Sequence, residues 1–564
     1  MLRAALLALS FLAASAVQAA APKLSAQVTL TVTGRTGIMY AEYRLSSPVK
    51  TLKLAREAGS VRETMWTSMT HGVKVDHDSF VSTDGQAFDH FIVRINHYTK
   101  FIDLNYAPMQ LFSDGSVSLF TGYFGIEGGY KQTSFAFRSP DRPVIVYGKR
   151  VSGGYRLSPE DDGTFAYFGK LAPADTSDSM LVMDPDLPAW VVKQLAEEVP
   201  VTVAYYSQRY GVRQKNKPFL LFNWGGRDQQ GVTDYKGDTL PSNIDYTLTG
   251  AGWSEDKPYN HSLLSALITH ELAHLWNAYQ FHPASDFSGS GNWLPEGQAQ
   301  TAAIEIGALK GWSSVGDSLA LYTSAIDSCL DTSGEKPIQE QTESNAAIYG
   351  CGVTFNLLAA AALHRKDPKL DFFDLWKRIY ATAGKDGTYS EATYISALRT
   401  LSGDDALADM IHSLVTQSAT DKNPQILAAL DRLGFDYEKP EAGSTDNTFG
   451  RTATRNLFAD IMRADCNGAV SFDIFDTGFR IDPAKDCAVL KPGYFITAIQ
   501  GHTLFADGVS AYAAVKAACA QGTDIQLTAQ GQPRPLQVKC PKTIAAMPDM
   551  VRLNSIPWWS KPKQ

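Results

Sequence analysis

The sequence predicts a multidomain α+β protein, and three observations predict it. Its 564 residues exceed what one hydrophobic core accommodates. Residues 22–190 alternate apolar and polar side chains with period two and are rich in β-branched types. From about 191 to 433 that pattern gives way to apolar positions at helical spacing, and beyond 450 both textures mix.

The elements follow in chain order. Residues 1–20 read as a cleaved signal peptide: Arg3 supplies the positive start, residues 4–14 are apolar, and Val17, Gln18 and Ala19 form the cleavage site. The apolar run is too short to span a bilayer, and no later run is long enough, so a periplasmic or extracellular protein without a membrane span is expected. Residues 22–190 form an all-β domain. Its strands include residues 27–33 (QVTLTVT), 91–96 (FIVRIN) and 117–123 (VSLFTGY), with turns at Asp114-Gly115 and Gly153-Gly154.

The pattern changes at a helix over residues 188–198, followed by a buried strand at 218–222 (PFLLF). Gly, Asp and Asn then mark residues 223–259 as a long loop. Helices are predicted over 261–281, 295–310, 346–364 and 404–415. Residues 434–450 read as a linker, and residues 451–545 as a last domain of strands with a helix near 509–519. The six cysteines, Cys329, Cys351, Cys466, Cys487, Cys519 and Cys540, are expected to pair with their sequence neighbours, because each pair then stays within one domain.

Composition is ordinary for globular proteins, with 44% hydrophobic and 20% charged residues. A net charge of −8 speaks for solubility and against nucleic acid or an anionic membrane surface as partner. No P-loop, dinucleotide fingerprint or G-x-S-x-G occurs, so nucleotide-binding and serine-hydrolase readings lack support.

Chemistry concentrates in residues 269–277 (THELAHLWN). Helical spacing sets His270 and His274 one turn apart on one face, where both imidazoles can reach one ion, and neutral imidazole suits Zn²⁺. Glu271, one residue along, can take a proton from water beside that ion. A catalytic zinc needs three protein ligands and an open position. His282 is two residues too late for a third histidine, and position 280 is Gln. Glu296 in residues 293–297 (WLPEG) is the better third ligand, because Pro295 starts a second helix and puts Glu296 in its first turn.

These words resemble the gluzincin peptidases, in which H-E-x-x-H is followed by a ligand Glu on the next helix. More narrowly, residues 274–277 (HLWN) and 293–297 (WLPEG) resemble the glycyl aminopeptidase family. A more distant likeness is to the large aminopeptidases related to leukotriene hydrolase. The resemblance implies a thermolysin-like catalytic and helical domain over 191–433 and a PDZ-like domain over 451–545. It implies one Zn²⁺ held by His270, His274 and Glu296, with Glu271 as general base and a peptide or protein as substrate. Tyr349, three residues before Gly352 at the head of an apolar helix, matches the tyrosine that donates to the oxyanion in those families; Cys351 stands where they carry lysine. A Cys329–Cys351 disulfide would tie that helix down. Asn277 is a candidate to orient a histidine by its position alone. The PDZ-like groove would take a peptide C-terminus or strand, with residues 468–472 as a candidate carboxylate-binding loop.

The chain departs from the family upstream of the histidines. Residues 250–253 (GAGW) lack the Glu that captures a substrate amine, with only Glu255 and Asp256 nearby, so amino- and endopeptidase action both stay open. The alternative function is a non-catalytic secreted peptide-binding protein that uses the PDZ-like groove and keeps a relic zinc site.

Overall fold

The computed structural model describes residues 23–33, 38–58, 60–96, 106–151, 155–157, 163–226, 233–284, 292–342, 344–475, 477–482 and 487–559. The leader expected over 1–20 and the turn at Gly153-Gly154 lie outside them. The chain forms two compact units, Met1–Lys170 and Leu171–Gln564.

The first unit is β-rich. Strand Ala26–Thr33 sends Val28, Leu30 and Val32 inward, as its alternation requires. It pairs antiparallel with Ile38–Val49 and parallel with Thr133–Arg138 in a six-stranded sheet. A five-stranded sheet and a three-stranded sheet complete the described β structure of this unit.

The second unit opens with a five-stranded sheet in the order Ala174–Asp175, Met180–Met183, Phe219–Trp224, Asn243–Thr249, Asp234–Leu240. The β texture read up to residue 190 therefore includes two strands of this second sheet. Its centre is parallel and its last strand antiparallel. Phe219, Leu220, Leu221 and Phe222 are all fully buried, as a central parallel strand covered on both faces demands.

Three sequence readings change here. Residues 223–259, read as a loop, contain the hairpin Asp234–Leu240 and Asn243–Thr249. Ile244, Tyr246 and Leu248 do alternate and are fully buried, but Gly, Asp and Asn around them masked the period, and pairing with Phe219–Trp224 decides it. The helix predicted to end at 198 runs Ala189–Tyr210, through Pro200, and stops at Gly211 with φ of 73°. Val199, Val203, Tyr206 and Tyr210 form a buried stripe along it, and that burial outweighs the cost of about 3 kcal/mol for an interior proline. The segment 434–450, read as a linker, holds strand Asp436–Glu438, paired with Arg552–Ser555 near the chain end. It also holds the start of helix Asn447–Asp465, which Asp446 caps by accepting from the Thr448 N–H.

Helix Pro258–His274 lies against the sheet, where the Tyr246 hydroxyl donates to the Ile268 carbonyl at 3.4 Å, and against helix Ala189–Tyr210, where the Tyr206 hydroxyl donates to the Thr269 carbonyl at 3.0 Å. A π-helical turn, Leu275–Gln280, continues it. Helices Trp293–Lys310, Val315–Asp331 and Gly352–Lys366 follow, the last preceded by a second π-helical turn, Ala346–Cys351. Further helices run Phe372–Ala381, Glu391–Ser402, Asp405–Thr416 and Lys422–Leu433. Among the described residues one stretch, Ala346–Lys366, has the length and apolarity to cross a membrane. Its apolar window is 83% buried within the protein, so it is a core helix.

The last part of this unit is an antiparallel sheet of short strands between Phe472 and Val538, packed on helices Asn447–Asp465 and Gly508–Ala520 through Leu457, Phe458, Phe479 and Val515. Disulfides join Cys329 to Cys351, Cys466 to Cys487, and Cys519 to Cys540, the neighbour pairs expected.

Candidate metal centre

Two glycines bring the site together. Gly297 follows Glu296, and Gly352 follows Tyr349 by three. A Cβ on Gly297 would lie 2.5 Å from the Gly352 backbone, and one on Gly352 would lie 2.5 Å from the Trp293 carbonyl oxygen. The helices carrying Glu296 and Tyr349 thus meet backbone to backbone, an approach only glycine permits. Helix Trp293–Lys310 also packs along helix Pro258–His274. Three separate stretches of sequence thereby deliver His270, His274, Glu296 and Tyr349 to one place.

His270 Nε2 and His274 Nε2 are 3.1 Å apart. Glu296 Oε2 lies 3.3 Å from the first and 3.4 Å from the second. Ligand atoms about 2.0 Å from a tetrahedral ion stand about 3.3 Å from one another, so the three atoms trace one face of such a tetrahedron. Glu296 Oε2 is buried and has no well-formed hydrogen bond despite those two nitrogens. The donors aim at a common centre rather than at each other. Residues His270, His274 and Glu296 form a candidate metal site, and they fit Zn²⁺ by donor type and spacing.

Neighbouring amides fix the imidazoles. His274 Nδ1 is 3.0 Å from Asn277 Oδ1, and Asn277 Nδ2 donates to the Pro295 carbonyl at 2.7 Å and to Gln298 Oε1 at 2.5 Å. A backbone carbonyl only accepts, so the Asn277 amide must turn its oxygen to His274. His274 then donates from Nδ1, and its Nε2 lone pair faces the centre. Gln298 continues the chain by donating to the Tyr210 hydroxyl. His270 Nδ1 lies 3.1 Å from Gln300 Oε1, the same arrangement. Position alone had pointed to Asn277. Gln298 and Gln300 were missed, although Gln300 sits one turn after Glu296 on the same helix, a spacing that could have marked it.

The electrostatics suit a cation. Burial disfavours charge on His274, but the Glu296 carboxylate outweighs burial and raises His274 to about 9. Burial pushes Glu296 up, and the charges of His274 and His270 beside it draw it far below the ordinary carboxylate range. Tyr349 is 37% exposed, and its ring centre lies 6.2 Å from that of His270. Burial of its hydroxyl, then the charges of Glu296 and Glu271, hold its pKa above the ordinary phenol value, so it remains a proton donor. Glu271 accepts a hydrogen bond from Thr239 Oγ1 at 2.6 Å. Thr239 lies in the hairpin that had been read as loop, which left it without a sequence signal.

No protein-family model matches the chain, and no curated protein matches it in sequence. Among solved structures it is similar to an aminopeptidase N family protein from Idiomarina loihiensis, at 14% identity and a TM-score of 0.61, over 95% of this chain and 100% of that one. It also matches a yeast LTA4 hydrolase in complex with bestatin, at 14% identity and a TM-score of 0.41, over 78% of this chain and 72% of that one. The first likeness is one of fold and extends along nearly the whole chain.

Proposed function

We propose that the chain is a secreted zinc metallopeptidase of gluzincin type, aminopeptidase-like, with His270, His274 and Glu296 as ligands, Glu271 as general base and Tyr349 as oxyanion donor. The observation that carries this reading is the convergence of two Nε2 atoms and one buried carboxylate oxygen, 3.1–3.4 Å apart, beside the Glu271 carboxylate and the Tyr349 phenol. The fold shared with an aminopeptidase N family protein supports it.

A bound zinc ion would polarise the scissile carbonyl and lower the pKa of water. Glu271, not needed as a ligand, takes a proton from the attacking water at its carboxylate and passes it to the leaving amine. Tyr349 donates a hydrogen bond to the oxygen that gains negative charge as the carbonyl becomes tetrahedral. Asn277 and Gln300 keep both imidazoles in the Nδ1–H form.

The leader sequence and the three disulfides support a periplasmic or extracellular protein. The C-terminal sheet is read as PDZ-like from residues 490–501, 507–519 and 524–528, which contain strand Phe495–Ile499, most of helix Gly508–Ala520 and most of strand Ile525–Ala529. Strand Gly478–Ile481 is already paired on both sides, so an added peptide strand would use the edge Phe472–Phe475.

The test is metal analysis of the purified protein, joined to digestion of a peptide mixture and of alanyl and glycyl reporter amides with and without chelator. One zinc per chain and chelator-sensitive cleavage are expected. The new termini distinguish removal of N-terminal residues from internal cutting. Absence of cleavage, whether or not zinc is bound, with any peptide binding confined to the C-terminal sheet, would instead favour the non-catalytic alternative.

A further inference from the structure

The edge strand Asp234–Leu240 does more than close the sheet. Register with Asn243–Thr249 sets Gly237 opposite Tyr246, whose hydroxyl reaches the helix bearing Glu271. Gly237 and Thr239 therefore share the face turned to that helix. A Cβ on Gly237 would lie 2.5 Å from Glu271 Cγ and 2.7 Å from Oε1, so only a hydrogen fits beneath the carboxylate. Two residues on, Thr239 Oγ1 donates to Glu271 Oε2 at 2.6 Å.

The strand is itself braced. Tyr279, in the π-helical turn Leu275–Gln280 that follows His274, donates its hydroxyl hydrogen bond to the Thr239 carbonyl. A π turn inserts one extra residue and re-aims the side chains after it. Here it sends a phenol back across the helix to the strand that holds the base.

We propose that Thr239 is a positioning residue for Glu271, made possible by the bare backbone at Gly237 and held in place by Tyr279. A glutamate has three rotatable bonds, and catalysis slows whenever its carboxylate swings away from the reacting water. One hydroxyl bond to Oε2 and a glycine floor leave it a single seat. This inference rests on the assignment of Glu271 as general base.

The test compares Thr239→Val, Thr239→Ser, Gly237→Ala and Tyr279→Phe with the wild type. Valine is close in shape to threonine and well suited to a strand, so folding should persist. Thr239→Val is expected to lower kcat about tenfold or more, with KM and zinc content unchanged, and Thr239→Ser to restore most of it. Gly237→Ala is expected to lower kcat at least as far, and Tyr279→Phe to lower it less. In crystals of zinc-loaded Thr239→Val the Glu271 carboxylate should leave the place it holds in the wild type. Wild-type kcat in Thr239→Val, or an unmoved Glu271 in its crystals, overturns the inference. The crystal comparison decides it even if the wild type cleaves no peptide, an outcome that would count against the peptidase reading alone.

Discussion

Asn277 donates to a carbonyl and so must offer its oxygen to His274. Truncating it leaves the ring free to turn, and Asn277→Ala is expected to weaken zinc affinity about 10–100-fold in competition with a chelator. Three central residues separate by what they lose. His270→Ala should lose zinc and hydrolysis together. Glu271→Gln should keep a full complement of zinc and lose nearly all hydrolysis; substantial turnover in that variant would remove Glu271 from the chemistry. Tyr349→Phe should keep zinc and KM while kcat falls about 100-fold, read from initial rates on the best reporter amide.

Elements explain why those residues can meet. The two π-helical turns, Leu275–Gln280 and Ala346–Cys351, carry Asn277, Tyr279 and Tyr349, and each stands at the head or foot of a helix that supplies the site. Cys351 closes the second turn and is bonded to Cys329 on helix Val315–Asp331. Replacing both cysteines by serine should cost about 3 kcal/mol of stability by denaturant unfolding, and lower kcat through Tyr349 without removing zinc. On helix Ala189–Tyr210, Glu198 is buried against helix Pro258–His274, and one of its oxygens has no partner. It accepts from Ser265 Oγ at 2.9 Å. Burial outweighs the hydrogen bonds of Ser265 and Gln194 and raises it from 4.5 to about 7. A carboxyl raised on folding favours the native state while protonated, below its unfolded pKa, and burdens it as pH climbs through 7. Glu198→Gln should therefore stabilise the protein at pH 8 by roughly 1–3 kcal/mol and leave it unchanged at pH 4, measured as melting temperature against pH.

On the scale of the whole molecule, Glu198 and Asp327, both buried, and the half-buried Glu305 are carboxyls of the second unit raised to about 7, chiefly by desolvation. Their sum should make thermal stability fall as pH rises from 5 to 8, and a rising profile would show that other groups dominate. The chain end takes part in this unit: the Val551 N–H donates to Asp327 at 2.8 Å and the Leu553 N–H to Thr323 at 3.0 Å. Linker character read from Pro, Gly and Ser at 434–450 could not reveal that return, since its partner strand lies over a hundred residues away in sequence.

By itself the sequence determined what local order can carry. Period-two alternation marked strand Ala26–Thr33, four-residue spacing set His270 and His274 on one face, and Pro295 announced the turn that holds Glu296. Cysteine spacing indicated the three disulfides. Tertiary structure alone decided the hairpin at Asp234–Leu240 and Asn243–Thr249, the contact of Gly297 with Gly352, and the seat of Glu271 on Thr239. The reason is one of range. Helical and strand periods are set by neighbours a few residues apart, whereas a glycine's close contact or a hydroxyl's partner is defined only once distant segments have packed.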